Sequence, residues 1–220
     1  MEPCSAGDTA GTGALLLQRA AAGDAGAWGA LLIAHEARLC RMVAFRLDPR
    51  LRGRVDAADV VQDSFLEAAD HRADYFREPA LPLFLWLRGV VANKLLEVHR
   101  HHLDAQMRAA GREASHVQGA GTEAATSGAL LHQLSCHATG PKTAAGRSER
   151  QARLRGAIDG MDPLDREVLA LRHYEQLTNA EASAALGIQE AAAAKRYVRA
   201  LRRLKTILSE MPGGLTEMRP

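Results

Sequence analysis

Cysteine is scarce in this chain of 220 residues, which has only Cys4, Cys40 and Cys136. Three widely spaced thiols do not make a disulfide framework, and a reducing, cytoplasmic setting is the natural expectation. Aromatic residues make up 4% of the chain, so any core must rest on Leu, Ala and Val. β-Branched residues are few and alanine abounds, a balance that favours helix over strand. Apolar runs of membrane-spanning length are missing. Ala14-Leu15-Leu16-Leu17 is too short for the core of a signal peptide, and no basic residue precedes it. Neither sign of charge dominates: the formal net charge is +2, so electrostatics must be read from distribution rather than from the total. A Gly-rich phosphate loop and a nucleophile elbow are lacking too. No catalytic residue is nominated, no cofactor is implied and no enzymatic activity is expected. Histidines gather at His99, His101 and His102, and His132 and His137 flank Cys136. Neither group offers the four well-placed ligands of a zinc site, so no metal is expected.

What is there falls into blocks. Residues 1–13 are small, polar and Gly-rich and read as a loose tail. Residues 14–113 are dense in Leu, Val and Arg. Residues 114–148 change to Gly, Ala, Ser, Thr, Gln and His, with Glu123, Lys142 and Arg147 their only Asp, Glu, Lys or Arg. That composition reads as a flexible linker, with a weak helix across Ala129–Leu134. Periodicity returns over residues 149–211, and residues 212–220 read as a second tail. The expected fold is all-α: two small helical domains joined by a flexible linker, the second containing a helix-turn-helix.

The second domain is the more legible. Leu154, Ala157, Ile158 and Met161 recur at helical spacing. Asp162-Pro163 restarts a helix, with Asp162 as N-cap and Pro163 at the first helical position; Leu164, Val168 and Leu171 continue the apolar stripe. Thr178-Asn179-Ala180-Glu181 fits a capping box opening a helix to Leu186. Gly187 permits a sharp turn, and a last helix from about Gln189 carries Tyr197, Leu201, Leu204 and Leu208 on one face. The same helix carries Lys195, Arg196, Arg199, Arg202, Arg203 and Lys205 with no acidic residue among them, and Lys195, Arg199 and Arg202 share the face opposite that stripe. A capped short helix, a Gly turn and a basic helix together read as a helix-turn-helix for duplex DNA. Ala191–Ala194 offers few hydrogen bonds to bases, so base reading falls to Gln189, Glu190, Lys195, Arg196 and Arg199. By themselves these features also fit an autonomous helix-turn-helix regulator.

The stretch Met161–Arg172, then Leu177–Ile188, then Lys195–Leu204 resembles region four of bacterial sigma factors. A second, separate likeness lies upstream. Asp56-Ala57-Ala58-Asp59-Val60-Val61-Gln62-Asp63-Ser64-Phe65-Leu66-Glu67-Ala68-Ala69 is similar to the polymerase-binding helix of sigma region two. Tyr75–Leu95, with Pro79 and Pro82 interrupting helix, is similar to that region's loop and helix for the minus-ten element. Two motif sets in this order resemble a sigma factor of the extracytoplasmic-function type, with regions two and four only. The resemblance implies core RNA polymerase and promoter DNA as partners, allows an anti-sigma factor, and gives no role to a membrane. It implies that Asp59, Gln62, Asp63 and Glu67 face the polymerase, while Val60, Val61, Phe65, Leu66 and Ala69 pack inward. It implies that Arg88, Asn93, Lys94 and Arg100 meet opened downstream DNA, with Asn93 at a flipped base. Phe84 and Trp86 offer surfaces for base stacking, although a Trp in such a stripe is more often core.

Overall fold

The computed structural model describes residues 6–109, 120–136 and 144–209. Among the described residues every regular element is helical. The order is α1 (Ala6–Ala21), α2 (Ala25–Arg46), α3 (Ala57–Asp70), α4 (Arg72–Arg77), α5 (Leu83–Ala109), α6 (Ala120–Cys136), α7 (Ala144–Asp159), α8 (Pro163–Leu169), a π-helical segment (Ala170–Tyr174), α9 (Asn179–Leu186) and α10 (Glu190–Ser209). The chain divides into two compact units. One draws on Met1–Val43 and Ala57–Lys94, the other on Ala44–Asp56 and Leu95–Pro220.

In the first unit, Asp24 ends the turn after α1 and accepts a hydrogen bond from the Ala27 amide at 3.0 Å, the N-cap geometry that starts α2. The same carboxylate accepts from Arg19 Nε at 2.9 Å. Leu39, Met42, Val43, Val61, Leu87 and Val91 form the dry interior. The few aromatics are concentrated here. Tyr75 lies 4.9 Å from Trp86 and 5.1 Å from Phe76, ring centre to ring centre, and Trp28 lies 5.9 Å from Phe76. Trp86 thus belongs to this cluster, in line with the core reading of its stripe. Phe84 is buried with the Arg38 guanidinium 3.6 Å from its ring centre, so its face is occupied and is not presented to bases.

The second unit joins the end of α2 and the following loop to the C-terminal helices. Leu130, Leu154, Ile158, Met161, Leu169, Ala170 and Ala200 make its centre, with Tyr197, Leu201 and Leu204 packed against them. Phe45 stacks on Tyr174 with ring centres 4.7 Å apart. Beside this stack lies a buried polar network. Arg46 Nε donates to Glu175 at 2.5 Å, and its Nη1 donates to the Thr126 hydroxyl at 3.1 Å. Arg46 Nη2 donates to Glu167, and the Thr126 hydroxyl donates to Glu167 Oε2 at 2.7 Å. Burial works against a charged guanidinium, but Glu175 and Glu167 outweigh it and hold Arg46 firmly protonated.

The segment expected to be a linker departs from its composition. Helix α6 covers residues 120–136, and Ala129, Leu130 and Leu131 are buried in the core of the second unit. The weak helix anticipated at 129–134 is therefore part of a longer one. Ala129, Leu130, Leu131 and Leu134 are diluted in the sequence by Gly, Ser and Thr but fall together in space. Residues 114–119 and 137–143 lie outside the described residues, as do 1–5 and 210–220 of the expected tails. Helix α1 begins at Ala6, inside the Gly-rich stretch.

Candidate nucleic-acid interface

Helix α8 starts as its sequence demands. Asp162 Oδ1 accepts from the Leu164 amide at 2.8 Å, with Pro163 at the first helical position. The helix runs into the π-helical segment, where the Glu175 amide donates to the Ala170 carbonyl at 3.0 Å, five residues back. Gln176 then takes a left-handed φ of 59° and turns the chain towards α9. No periodicity signalled this extra residue. Its effect is to aim Glu175 inward at Arg46.

Helix α9 opens with the complete capping box. The Glu181 amide donates to Thr178 Oγ1 at 3.1 Å, and the Thr178 amide donates to Glu181 Oε2 at 2.8 Å. Gly187 closes it at φ 63°, with the Ile188 amide donating to the Ser183 carbonyl at 3.1 Å. Asn179 Nδ2 crosses the turn to the Glu190 carbonyl at 2.9 Å and ties α9 to the start of α10. The second and third elements of a helix-turn-helix are thus fixed by capping and by one side-chain bridge. Helix α10 buries Ala193, Ala200 and Ile207, with Tyr197, Leu201, Leu204 and Leu208 half-buried beside them. The buried stripe therefore runs through smaller residues than its leucines suggested.

The expected duplex-reading residues separate into two kinds. Gln189, Glu190 and Lys195 are exposed. Arg196 and Arg199 instead converge on Asp165 of α8. Arg196 Nη1 donates to Asp165 Oδ1 at 2.8 Å, and Arg199 donates through Nε to Oδ2 at 2.6 Å and through Nη2 to Oδ1 at 2.7 Å. Burial alone would raise the Asp165 carboxyl, but Arg199 and then Arg196 overcome it and hold it below the usual carboxylate range. Sequence reasoning missed Asp165. It sits in the first turn of α8, where an acidic residue is ordinary helix-dipole chemistry, and nothing local points to a partner 34 residues on. Arg202, Arg203 and Lys205 are exposed on the same helix.

On α3, Asp59, Gln62 and Asp63 are exposed and Glu67 is half-buried. Gln62 Nε2 donates to Glu36 of α2 at 2.9 Å, so this residue braces two helices. Val60, Val61 and Phe65 pack inward as expected, but Leu66 is 71% exposed and Ala69 is exposed. Ser64 and Ala68 take the inner positions, Ser64 satisfying its hydroxyl on the Val60 carbonyl at 2.7 Å. On α5, Asn93 and Arg100 are exposed and lie seven residues apart, on one helical face. Arg88 and Lys94 are half-buried and point elsewhere around the helix. The preceding loop is pinned by Tyr75, whose hydroxyl donates to the Leu81 carbonyl at 3.3 Å. His99 is turned away from solvent and accepts the Asp48 amide at 3.2 Å. Of the His132, Cys136 and His137 group, His132 lies 3.2 Å from the Arg52 guanidinium, while the side chains of the other two lie outside the described residues.

Residues 151–204 match the family described as sigma-70, region 4, and this span holds α8, the π-helical segment, α9 and most of α10. Residues 151–204 are thus a sigma-70 region 4 domain. Among solved structures, the chain is similar to CnrH in complex with the cytosolic domain of CnrY. The match has a TM-score of 0.52 and 24% identity, and covers 90% of this chain and 97% of that one. It also matches the sigma factor RpoE in complex with the anti-sigma factor NepR from Bartonella quintana. There the TM-score is 0.43 and the identity 17%, over 84% of this chain and 97% of that one. The likeness to CnrH is one of fold. No curated protein matches the sequence. None of the helices among the described residues is long and apolar enough to cross a membrane.

Proposed function

We propose that this chain is a sigma factor of the extracytoplasmic-function type, which binds core RNA polymerase and directs it to promoters by reading DNA at two places. The observation that carries the reading is the capped α9, the Gly187 turn and α10 inside the region 4 match, with a cationic outer face. Gln189, Glu190 and Lys195, supported by Arg196 and Arg199, read the upstream duplex. A helix enters the major groove there and its cations displace counterions from phosphates. Asn93, with Arg88, Lys94 and Arg100 on α5, meets the opened downstream strand, where the amide of Asn93 suits an exposed base edge. Asp59, Gln62, Asp63 and Glu67 on α3 face the polymerase. In this reading the domains are region two over 14–113 and region four over 149–211, joined by 114–148. The sigma factor acts in the cytoplasm and does no bond-making itself, which belongs to the polymerase. An anti-sigma factor is a further partner the reading allows, CnrH having been solved with the cytosolic domain of CnrY.

Two measurements test this. Purified chain should co-elute with core RNA polymerase; failure to do so would favour the rival, an autonomous helix-turn-helix regulator. Asn93→Ala should leave upstream-duplex binding nearly unchanged while reducing permanganate-reactive thymines at the downstream element, with a lost base contact costing about 1–3 kcal/mol. Normal opening by that variant would remove Asn93 from the site.

A further inference from the structure

Two of the six cations of α10 end on one carboxylate. Asp165 is 7% exposed and receives three hydrogen bonds between 2.6 and 2.8 Å, one from Arg196 and two from the Arg199 fork. Asp162 adds a weaker contact, 3.4 Å from Arg196 Nη1. The carboxylate stands on a stiff base, because Asp162 and Pro163 fix the first turn of α8 on which Asp165 sits. The start of α10 is differently held. Ala191–Ala194 has no polar side chain to anchor it, and the tie from Asn179 reaches only the backbone of Glu190. A bidentate Arg–carboxylate pair fixes orientation as well as distance. The Asp165 clamp therefore adds to the buried stripe a polar restraint on the rotation of α10 about its own axis, and with it on the direction in which Gln189, Glu190 and Lys195 project.

The clamp also has an electrostatic side. An arginine already paired with a carboxylate gives less to a phosphate than an unpaired one, so the clamp lowers the sequence-independent share of DNA attraction. We propose that Asp165 is a specificity-determining positioning residue, one that withdraws Arg196 and Arg199 from indiscriminate phosphate binding and uses them to fix the angle at which α10 meets the duplex. This rests on the duplex-reading role given above to α10. A clamp that served stability alone would, when broken, weaken binding to all duplexes together. A specificity clamp should, when broken, strengthen binding to random duplex and weaken choice.

The test uses the full chain and three probes: heparin, a random-sequence duplex, and a duplex enriched from a random pool by the parent. Asp165→Asn should elute from heparin at higher salt and bind random duplex severalfold more tightly. Its plot of log affinity against log salt should steepen by about one unit, as expected for one further phosphate contact. Preference for the enriched duplex over the random one should fall on the order of fivefold or more. Arg199→Lys, a solvent-side change that keeps charge but removes the fork, guards against loss of fold in the first variant. It should retain the parent's heparin elution and still lose preference. Asp165→Glu, which keeps the charge, should stay nearer the parent in both. Heparin elution of Asp165→Asn at the parent's salt or lower, or undiminished preference in Arg199→Lys, would overturn the proposal. If the parent enriches no sequence from the pool, the duplex-reading role falls, and with it the specificity claim; the heparin arm would still report whether Asp165 masks the two arginines.

Discussion

Arg46 and Glu175 form a pair whose members cannot be removed singly without penalty. Glu175 is 1% exposed and has the Arg46 guanidinium as its cationic neighbour. Arg46→Ala would remove a guanidinium that compensates this buried carboxylate, and should cost roughly 3–5 kcal/mol, read as a lower urea midpoint. Replacing both, as Arg46→Met with Glu175→Gln, should recover part of the loss, since the more deeply buried of the two carboxylates then carries no charge while the half-buried Glu167 keeps its own. A second residue gives a pH effect. Burial pushes His99 below the usual imidazole range, with Asp48 pulling it up and Arg50 adding to the depression. Its Nε2 accepts the Asp48 amide and must therefore be unprotonated. As pH falls below about 6.5, the unfolded chain takes up this proton before the folded one does, so stability declines through the window below that value and is fully present above it. Denaturant midpoints at pH 7.5 and 5.5 should differ in the parent, and His99→Gln should reduce the difference.

At the scale of the element, the caps of α9 carry the sharpest expectations. Thr178→Ala removes one half of the capping box and should cost about 1 kcal/mol. Gly187→Ala puts a Cβ on a left-handed residue and should cost about 1–2 kcal/mol, although the space around it is open. Thermal melts followed by helical circular dichroism would check both. These are also the features the sequence revealed best. Asp162-Pro163, the Thr178 box and Gly187 act within a few residues, so their spacing is sufficient to place α8, α9 and the start of α10. Helix α6 was underread because its apolar residues gain meaning only from the core they join. The π-helical segment was invisible for a related reason: its extra residue is repaid by an ion pair to a position 129 residues away. Leu66 shows the opposite error. A leucine at helical spacing reads as core, yet the interior register of α3 is held by Ser64 and Ala68, and Leu66 faces water.

For the whole molecule, the exposed side of α3 makes a distinct prediction. Asp59, Gln62 and Asp63 flank Leu66, an apolar centre with a polar rim, which is the composition of a protein-binding surface. Asp63→Lys should weaken binding to core RNA polymerase without loss of helix content, and Leu66→Ser should do so at least as strongly, by an order of magnitude or more. Titration of labelled chain with core enzyme would measure both, and parent-like affinity in the two variants would move the interface elsewhere. The Arg46 network bears on the same scale in another way. Positions 46, 126, 167 and 175 share one set of hydrogen bonds although they are far apart in the chain. They should behave in inheritance as a single locus. A recombinant that took everything before position 57 from a related chain lacking an arginine at 46 would receive Glu167 and Glu175 without their counter-ion. The C-terminal helices are therefore not a freely exchangeable cassette, and functional chimeras should be recovered chiefly when the four positions travel together.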